Sequence, residues 1–132
     1  MEPIPDDFHD LFERKTFANL ATVMPDGTPQ VTPVWVGYQD DYILVNTAKG
    51  RQKERNVQRN PKVGLDMYDP DDPYRFVSIR GEVEEVTEEG AVEHINELTK
   101  RYMGRDEYPN LGEEQGPRVI IRIRPNRVVT NG

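Results

Sequence analysis

The sequence predicts a mainly β fold, an antiparallel barrel with peripheral helices, and three observations carry that prediction. Apolar and polar residues alternate with a period of two in "YRFVSIRGEVEEV" (residues 74–86) and "RVIIRI" (118–123), the pattern of strands with one buried and one wet face. A compact turn signal, "PDGT" (25–28), separates two of the apolar runs. The three helical patterns do not alternate with strands in the βαβ manner of a parallel sheet. A chain of 132 residues is about the size of one domain, so residues 1–132 are expected to share a single core.

The elements follow in order. "DDFHDLFERK" (6–15) reads as a short helix capped by Asp6, with Phe8, Leu11 and Phe12 on one side. "FANLATVM" (17–24) is apolar enough to be a buried strand, and Gly27 in the following turn can take positive φ. Its hairpin partner is "PQVTPVWVGY" (29–38), with Val31, Pro33 and Trp35 on one face and Thr32, Val34 and Val36 on the other. Pro33 cannot donate to a ladder, which marks this strand as irregular or edge-like and leaves nearby backbone groups free to bind something. "QDD" (39–41) turns into a third strand, "YILVNT" (42–47).

A helix is predicted from about Gly50 to the residues before Pro61, which forbids α geometry in the residue preceding it. In residues 74–86, Val77, Ile79 and Val83 face one side, and Ser78, Arg80, Glu82 and Glu84 the other. "TEEGAVEHINELTKRYMG" (87–104) carries Thr87 as N-cap, acids in the first turn and Gly104 as stop, with Ala91, Ile95, Leu98 and Tyr102 on one face. "RVIIRI" sets Arg118, Ile120 and Arg122 against Val119, Ile121 and Ile123, and "RVVT" (127–130) after a "PN" turn is read as a last short strand.

Composition removes several function classes. Cysteine is absent, which excludes disulfides, thiolate nucleophiles and cysteine metal sites. Ser78 is the sole serine and reads as strand interior, and with only His9 and His94 available a serine triad is not expected. His9 and His94 lack metal-ligand spacing and read as ordinary surface or helix residues, and no catalytic metal is expected. No apolar run is long enough to cross a membrane and the start lacks a signal-peptide pattern, so a cytoplasmic protein is expected. A net charge of -7 disfavours nucleic acid and anionic membranes as partners. Only 35% of residues are hydrophobic, so burial against a second copy of the chain is a plausible supplement to the core. Arginine outnumbers lysine, 12 to 5, over an acid excess, a composition seen in proteins that stay soluble at high salt.

Against this acidic background, "NTAKGRQKERNVQRNPK" (46–62) gathers Lys49, Arg51, Lys53, Arg55, Arg59 and Lys62 around one acid, Glu54. As a helix following a strand, it offers unpaired N–H groups and the positive end of the macrodipole at its start, beside Arg51 and Lys53. A guanidinium fork and a point-charge ammonium there could reach one phosphate. The residues alone leave two readings open: a solvated basic face that pairs with acids elsewhere, or a site for a small phosphate-bearing molecule. Nucleic acid fits less well, since no aromatic residue is interleaved for bases to stack on.

The order "FANLATVMPDGTPQVTPVWV", "ILVNTAKGRQKERNVQRNPKVGL", "DPDDPYRFVSIRGEVEEV" resembles the pyridoxamine 5'-phosphate oxidase-like superfamily of split β-barrel flavin and deazaflavin binders. "GRQKERNVQRNP", "PYRFVSIRG" and "YMGRDEYP" are most similar to its deazaflavin-dependent branch, whose members use coenzyme F420. The similarity runs from about residue 8 to 129.

The resemblance implies a homodimer with two cofactors at the interface. The cofactor phosphate would map to Arg51 and Lys53, with Thr47 and Gly50 shaping the turn and Asn46, Arg55 and Asn56 among the cofactor-binding positions. The ring would lie along Thr32, Pro33, Val34 and Trp35, although a tryptophan there also reads as core packing. Tyr74 and Arg75 of the second subunit would close the site. Arg55 and Arg59 are candidates for the anionic tail of coenzyme F420.

Gln52 stands where pyridoxamine phosphate oxidases carry an arginine, which counts against flavin mononucleotide (FMN), and the sequence closes on "RIRPNRVVTNG" without the longer C-terminal segment by which those enzymes bind their substrate, which counts against pyridoxamine phosphate. The implied reaction is hydride transfer from the reduced cofactor to an unsaturated organic substrate, with solvent, Tyr74 or Tyr108 supplying a proton. The alternatives on the same fold are an FMN-dependent oxidoreductase and a non-catalytic carrier of a flavin, deazaflavin or tetrapyrrole.

Overall fold

Turn chemistry sets the first hairpin. Gly27 takes φ +87°, the Met24 N–H donates to Thr28 O at 2.8 Å, and the Asp26 carboxylate accepts from Thr28 N–H at 3.0 Å. The strands it joins are β1 (Ala18–Val23) and β2 (Pro29–Val34). In the computed structural model, residues 1–111 and 116–132 are described. The remaining strands are β3 (Gly37–Gln39), β4 (Tyr42–Ala48), β5 (Lys62–Asp69), β6 (Asp72–Thr87) and β7 (Arg118–Asn131). The helices are α1 (Asp10–Glu13, after a 3-10 turn at Asp6–Phe8), α2 (Gln52–Arg59) and α3 (Ala91–Met103).

All neighbouring strands pair antiparallel in one seven-stranded sheet of order β2-β1-β5-β6-β7-β4-β3. Strands β2 and β3 therefore lie at opposite edges, yet only Trp35 and Val36 separate them. A flat sheet of this size would hold its edges roughly 29 Å apart at about 4.8 Å per strand. The chain from Val34 to Gly37 reaches at most about 11 Å. The sheet must roll up until its edges nearly meet, and the seam at Trp35 is the split of a β-barrel.

A bulge between Val83 and Glu85 in β6 and another in β7, opposite Arg80/Gly81, supply part of the bending. The barrel interior is filled by Ala18, Leu20, Val34, Ile43, Val45, Leu65, Met67, Val77, Ile79, Ile121 and Ile123, and α1 closes one end with Leu11 and Phe12. A second cluster forms where Ile95, Leu98 and Tyr102 of α3 meet Trp35, Tyr108 and Leu111.

Several local expectations are corrected. Asp6 does not cap: Pro5 precedes the 3-10 turn, which Asp6 itself opens. Thr87 is not the N-cap of α3; its hydroxyl accepts from Glu89 N–H at 3.1 Å, and Gly90 in the left-handed region holds the cap position. The segment 29–38 is two strands, so "YILVNT" lies in the fourth strand rather than the third. There is no turn at Pro125–Asn126, because β7 runs unbroken from Arg118 to Asn131. Pro125 is tolerated because its carbonyl points away from β6, accepting from Glu2 N–H at 2.8 Å. The missing proline N–H lies on that same unpaired side.

Candidate functional site

The seam opens a cleft of about 230 Å³ lined by Phe17, Pro33, Val34, Trp35, Asn46, Thr47, Arg51, Lys53, Ile95, Tyr108 and Arg118. Each wall follows from the fold. Strand β2 ends at the sheet edge and presents Pro33 and Val34 before the chain turns at Trp35. The end of β4 brings Asn46 and Thr47, and α2 begins four residues after that strand, which carries Arg51 and Lys53 to the same place. The apolar wall is stiff: Trp35 stacks on Tyr102 with centroids 5.0 Å apart and meets the edge of Tyr108 at 6.3 Å. The Tyr102 hydroxyl accepts from Val36 N–H at 3.3 Å and donates to Thr16 O at 2.5 Å, fixing the chain at the seam.

The cationic wall starts at the α2 N-terminus. Gly50 adopts φ +94°, a conformation that favours glycine. The Glu54 carboxylate, the lone acid of the basic segment, accepts from Gly50 N–H at 2.8 Å and is buried. The acid thus organises the turn that carries Arg51 and Lys53 to the cleft. Lys53 is half-buried. Burial foremost, then the charges of Arg51 and Arg118, hold its ammonium below the usual lysine range. Beside it, the Thr47 hydroxyl belongs to a residue only 1% exposed and finds no hydrogen-bond partner among the described residues. A half-buried cation is costly unless an anion pairs with it.

Arg118 enters from β7. Its Nε donates to Asn46 Oδ1 at 2.8 Å, and its guanidinium lies over the Tyr108 ring at 4.8 Å. Asn46 Nδ2 in turn donates to Ala91 O at 2.8 Å and lies 3.1 Å from His94 Nδ1. Sequence reasoning missed Arg118, Phe17 and Ile95 at this cleft. Alternation in "RVIIRI" tells only that Arg118 faces opposite Val119, not that an asparagine and a tyrosine receive it.

The sequence-derived site residues divide. Pro33, Val34, Trp35, Asn46, Thr47, Arg51 and Lys53 are brought together, whereas Thr32, Gly50, Arg55, Asn56, Tyr74 and Arg75 do not line the cleft. Thr32 pairs with Leu20 and is half-buried. Gly50 shapes the turn. Arg55 folds back to donate to Gly50 O at 3.0 Å and to Gln52. Asn56 is fully buried and donates to Thr22 Oγ1 at 3.0 Å, tying α2 to β1. Gln52 turns along the helix to donate to Asn56 Oδ1 at 2.7 Å, away from the cleft. Arg59 donates to Val23 O and Asn56.

Arg75 is held in an ion-pair cluster, 2.6 Å from Asp10 and 3.0 Å from Asp69, over the Phe8 ring. Tyr74, beside it, is 82% exposed. Of the two tyrosines considered as proton donors, Tyr108 lies at the cleft and Tyr74 does not.

A split barrel with an apolar, cation-rimmed cleft at its seam defines a class of small-molecule-binding domains. The family model described as pyridoxamine 5'-phosphate oxidase matches residues 4–132, and the chain belongs to that family. A solved structure described as an F420 reductase is 36% identical, with a TM-score of 0.83 over 96% of this chain and 98% of that one. A conserved hypothetical protein from Mycobacterium tuberculosis is 27% identical, with a TM-score of 0.75 over 99% of this chain and 89% of that one. The HupZ protein of Group A Streptococcus shares the fold at 22% identity, with a TM-score of 0.70 over 96% and 93% of the two chains. Among the curated proteins, none matches.

Proposed function

We propose that the protein is an oxidoreductase that binds reduced coenzyme F420 in the seam cleft and delivers a hydride to an unsaturated organic substrate. The observation that carries this reading is the meeting of a flat apolar wall with Thr47, Arg51 and Lys53 in one cleft. A planar ring with a phosphate-bearing side chain has the matching polarity. The residues fit such a group: the half-buried Lys53 ammonium, crowded by the charges of Arg51 and Arg118, is answered by a phosphate. Likeness to the F420 reductase supports the deazaflavin over other ring systems. The inward turn of Gln52 supports it as well, since the helix then offers a flavin phosphate no further donor from that position.

The bound deazaflavin would supply the hydride, two electrons with one proton, and is itself oxidised; a second proton completes reduction of the substrate double bond. The chain's part is to bind, orient and exclude water. Pro33, Val34 and Trp35 form the wall against which the ring lies. Arg51, Lys53 and Thr47 hold the phosphate. Tyr108 places a phenol at the cleft, where it or solvent provides the second proton. Arg55 and Arg59, exposed on α2, are the cations that an anionic tail would meet in this reading. A second copy of the chain completes the site in this reading, and Tyr74, exposed on its hairpin, is the residue of the Tyr74–Arg75 pair that is accessible to it.

The test is a fluorescence titration of the purified protein with coenzyme F420 and with FMN, followed by turnover with enones and quinones. Tighter binding of coenzyme F420 and oxidation of the reduced cofactor by one of these substrates are expected. Tighter binding of FMN would overturn the cofactor assignment, and binding without turnover would make the protein a carrier.

A further inference from the structure

Asn46 lines the cleft beside the cationic wall and uses every polar atom it has. One amide hydrogen goes to Ala91 O at 2.8 Å and the other to His94 Nδ1 at 3.1 Å, while Oδ1 receives Arg118 Nε at 2.8 Å. The amide cannot be turned over. Flipping it would set Oδ1 against the Ala91 carbonyl and the His94 lone pair, and would point two N–H groups at a guanidinium that has only donors. His94 must be neutral with its proton on Nε2 for this arrangement. Burial, aided by the charges of Arg101 and Arg118, lowers its pKa to about 4 and keeps it so.

Arg118 is buried as well and is steadied on its other side by the face of Tyr108. Its Nε is thus held by an asparagine, and its guanidinium plane lies over an aromatic ring, both of which belong to the cleft lining.

We propose that Asn46 is a positioning residue that, oriented by Ala91 O and His94, fixes the Arg118 guanidinium at the cleft wall as a third anion-binding group beside Arg51 and Lys53. The inference rests on the reading of the cleft as a site for a phosphate-bearing cofactor and adds to it a group supplied by β7, remote from the basic helix. Three cations on one wall suit a phosphodiester with a neighbouring carboxylate better than a neutral side chain. With its amide atoms already bonded to Ala91, His94 and Arg118, Asn46 acts on the ligand through Arg118.

The experiment is a double-mutant cycle read with two probes, coenzyme F420 and the same deazaflavin ring stripped of its phosphate-bearing side chain. Asn46→Ala is expected to weaken coenzyme F420 by about tenfold or more, the scale of one hydrogen bond to a charged group, and to leave the stripped ring unchanged. Arg118→Lys keeps the charge but loses the fork and is expected to weaken coenzyme F420 similarly. In the Arg118→Lys background, Asn46→Ala should then add little. Additive losses, or equal losses for both probes, would overturn the positioning role and leave the cofactor reading standing. A wild-type protein that binds the two probes equally would overturn the cofactor reading itself. Should Asn46→Ala unfold, Asn46→Asp preserves the shape, and its carboxylate neutralises Arg118; it is expected to lose coenzyme F420 and retain the stripped ring. An Asp variant that keeps full affinity for coenzyme F420 would also sink the proposal.

Discussion

At the scale of single residues, the half-buried imidazole of His94 has a measurable consequence. Its folded pKa of about 4 lies below the 6.5 of a free histidine. Between those values the unfolded chain takes up a proton that the folded chain refuses, so the folded state loses stability as pH falls. This contribution is fully present above about 6.5, is lost progressively down to about 4, and amounts to at most about 3 kcal/mol. Thermal melts across that window should show a wild-type midpoint that drops more steeply than that of His94→Gln, which has nothing to protonate. Parallel curves would mean that His94 is not held neutral. The sequence expectation of an ordinary helix residue was half right: His94 is on α3, but it is bonded to Asn46 rather than to solvent. Lys53, Arg51 and Thr47 were legible because a strand followed closely by a basic helix places them locally. Arg118 was not, since its partners Asn46 and Tyr108 lie 72 residues away in one case and across the α3 connection in the other.

At the scale of elements, local periodicity read well and long-range accommodation did not. The buried face of α3, Ala91, Ile95, Leu98 and Tyr102, was visible because its spacing repeats within one helix. Pro125 was mistaken for a turn because the Glu2 N–H that satisfies its carbonyl comes from the other end of the chain. Pro33 announced an irregular, edge-like strand, as β2 is, but the break at Trp35 itself reflects closure of the sheet and not a turn signal in the residues. Opposite Pro125, Gly81 faces the bulge of β7. A Cβ there would stand 2.7 Å from Arg124 O and 2.9 Å from Ile123 Cγ2, so backbone would have to move. Gly81→Ala is expected to cost about 1–3 kcal/mol and to lower the melting temperature by roughly 3–5 °C per kcal/mol. Gly64→Ala is the comparison, because its Cβ would meet Ala21 and Ile79 at ordinary contact distances of 3.8 and 3.9 Å. If the two variants melt together, the bulge is not the tight corner that closes the barrel.

At the scale of the whole molecule, the rolled sheet has an inner face filled by the core and an outer face that is only partly polar. Register aligns Val31, Ala21 and Gly64 across β2, β1 and β5, with Pro33, Asn19 and Asp66 in the next outward row. Phe17, Val31 and Tyr68 at this side are 54%, 60% and 51% exposed. Large exposed side chains flanking a bed of small residues are a surface on which a second sheet could settle. The proposed dimer would use this face, and it adjoins the cleft, since Phe17 and Pro33 belong to both. Charge opposes the pairing: each copy carries -7, so two copies repel until salt screens them. Apolar contact must therefore supply the attraction, and association should strengthen as ionic strength rises, the reverse of a complex held by opposite charges. Sedimentation at micromolar concentration is expected to give twice the 15.3 kDa of one chain, with the dimer fraction growing between low and high salt. Val31→Glu places a carboxylate in the middle of the exposed row and should yield a folded monomer with weaker coenzyme F420 binding, because the partner's contribution to the cleft is lost with the dimer. A wild-type chain that sediments as a monomer at every salt concentration, or a Val31→Glu monomer with undiminished affinity, would detach the cleft from the interface and leave each barrel to bind its ligand alone.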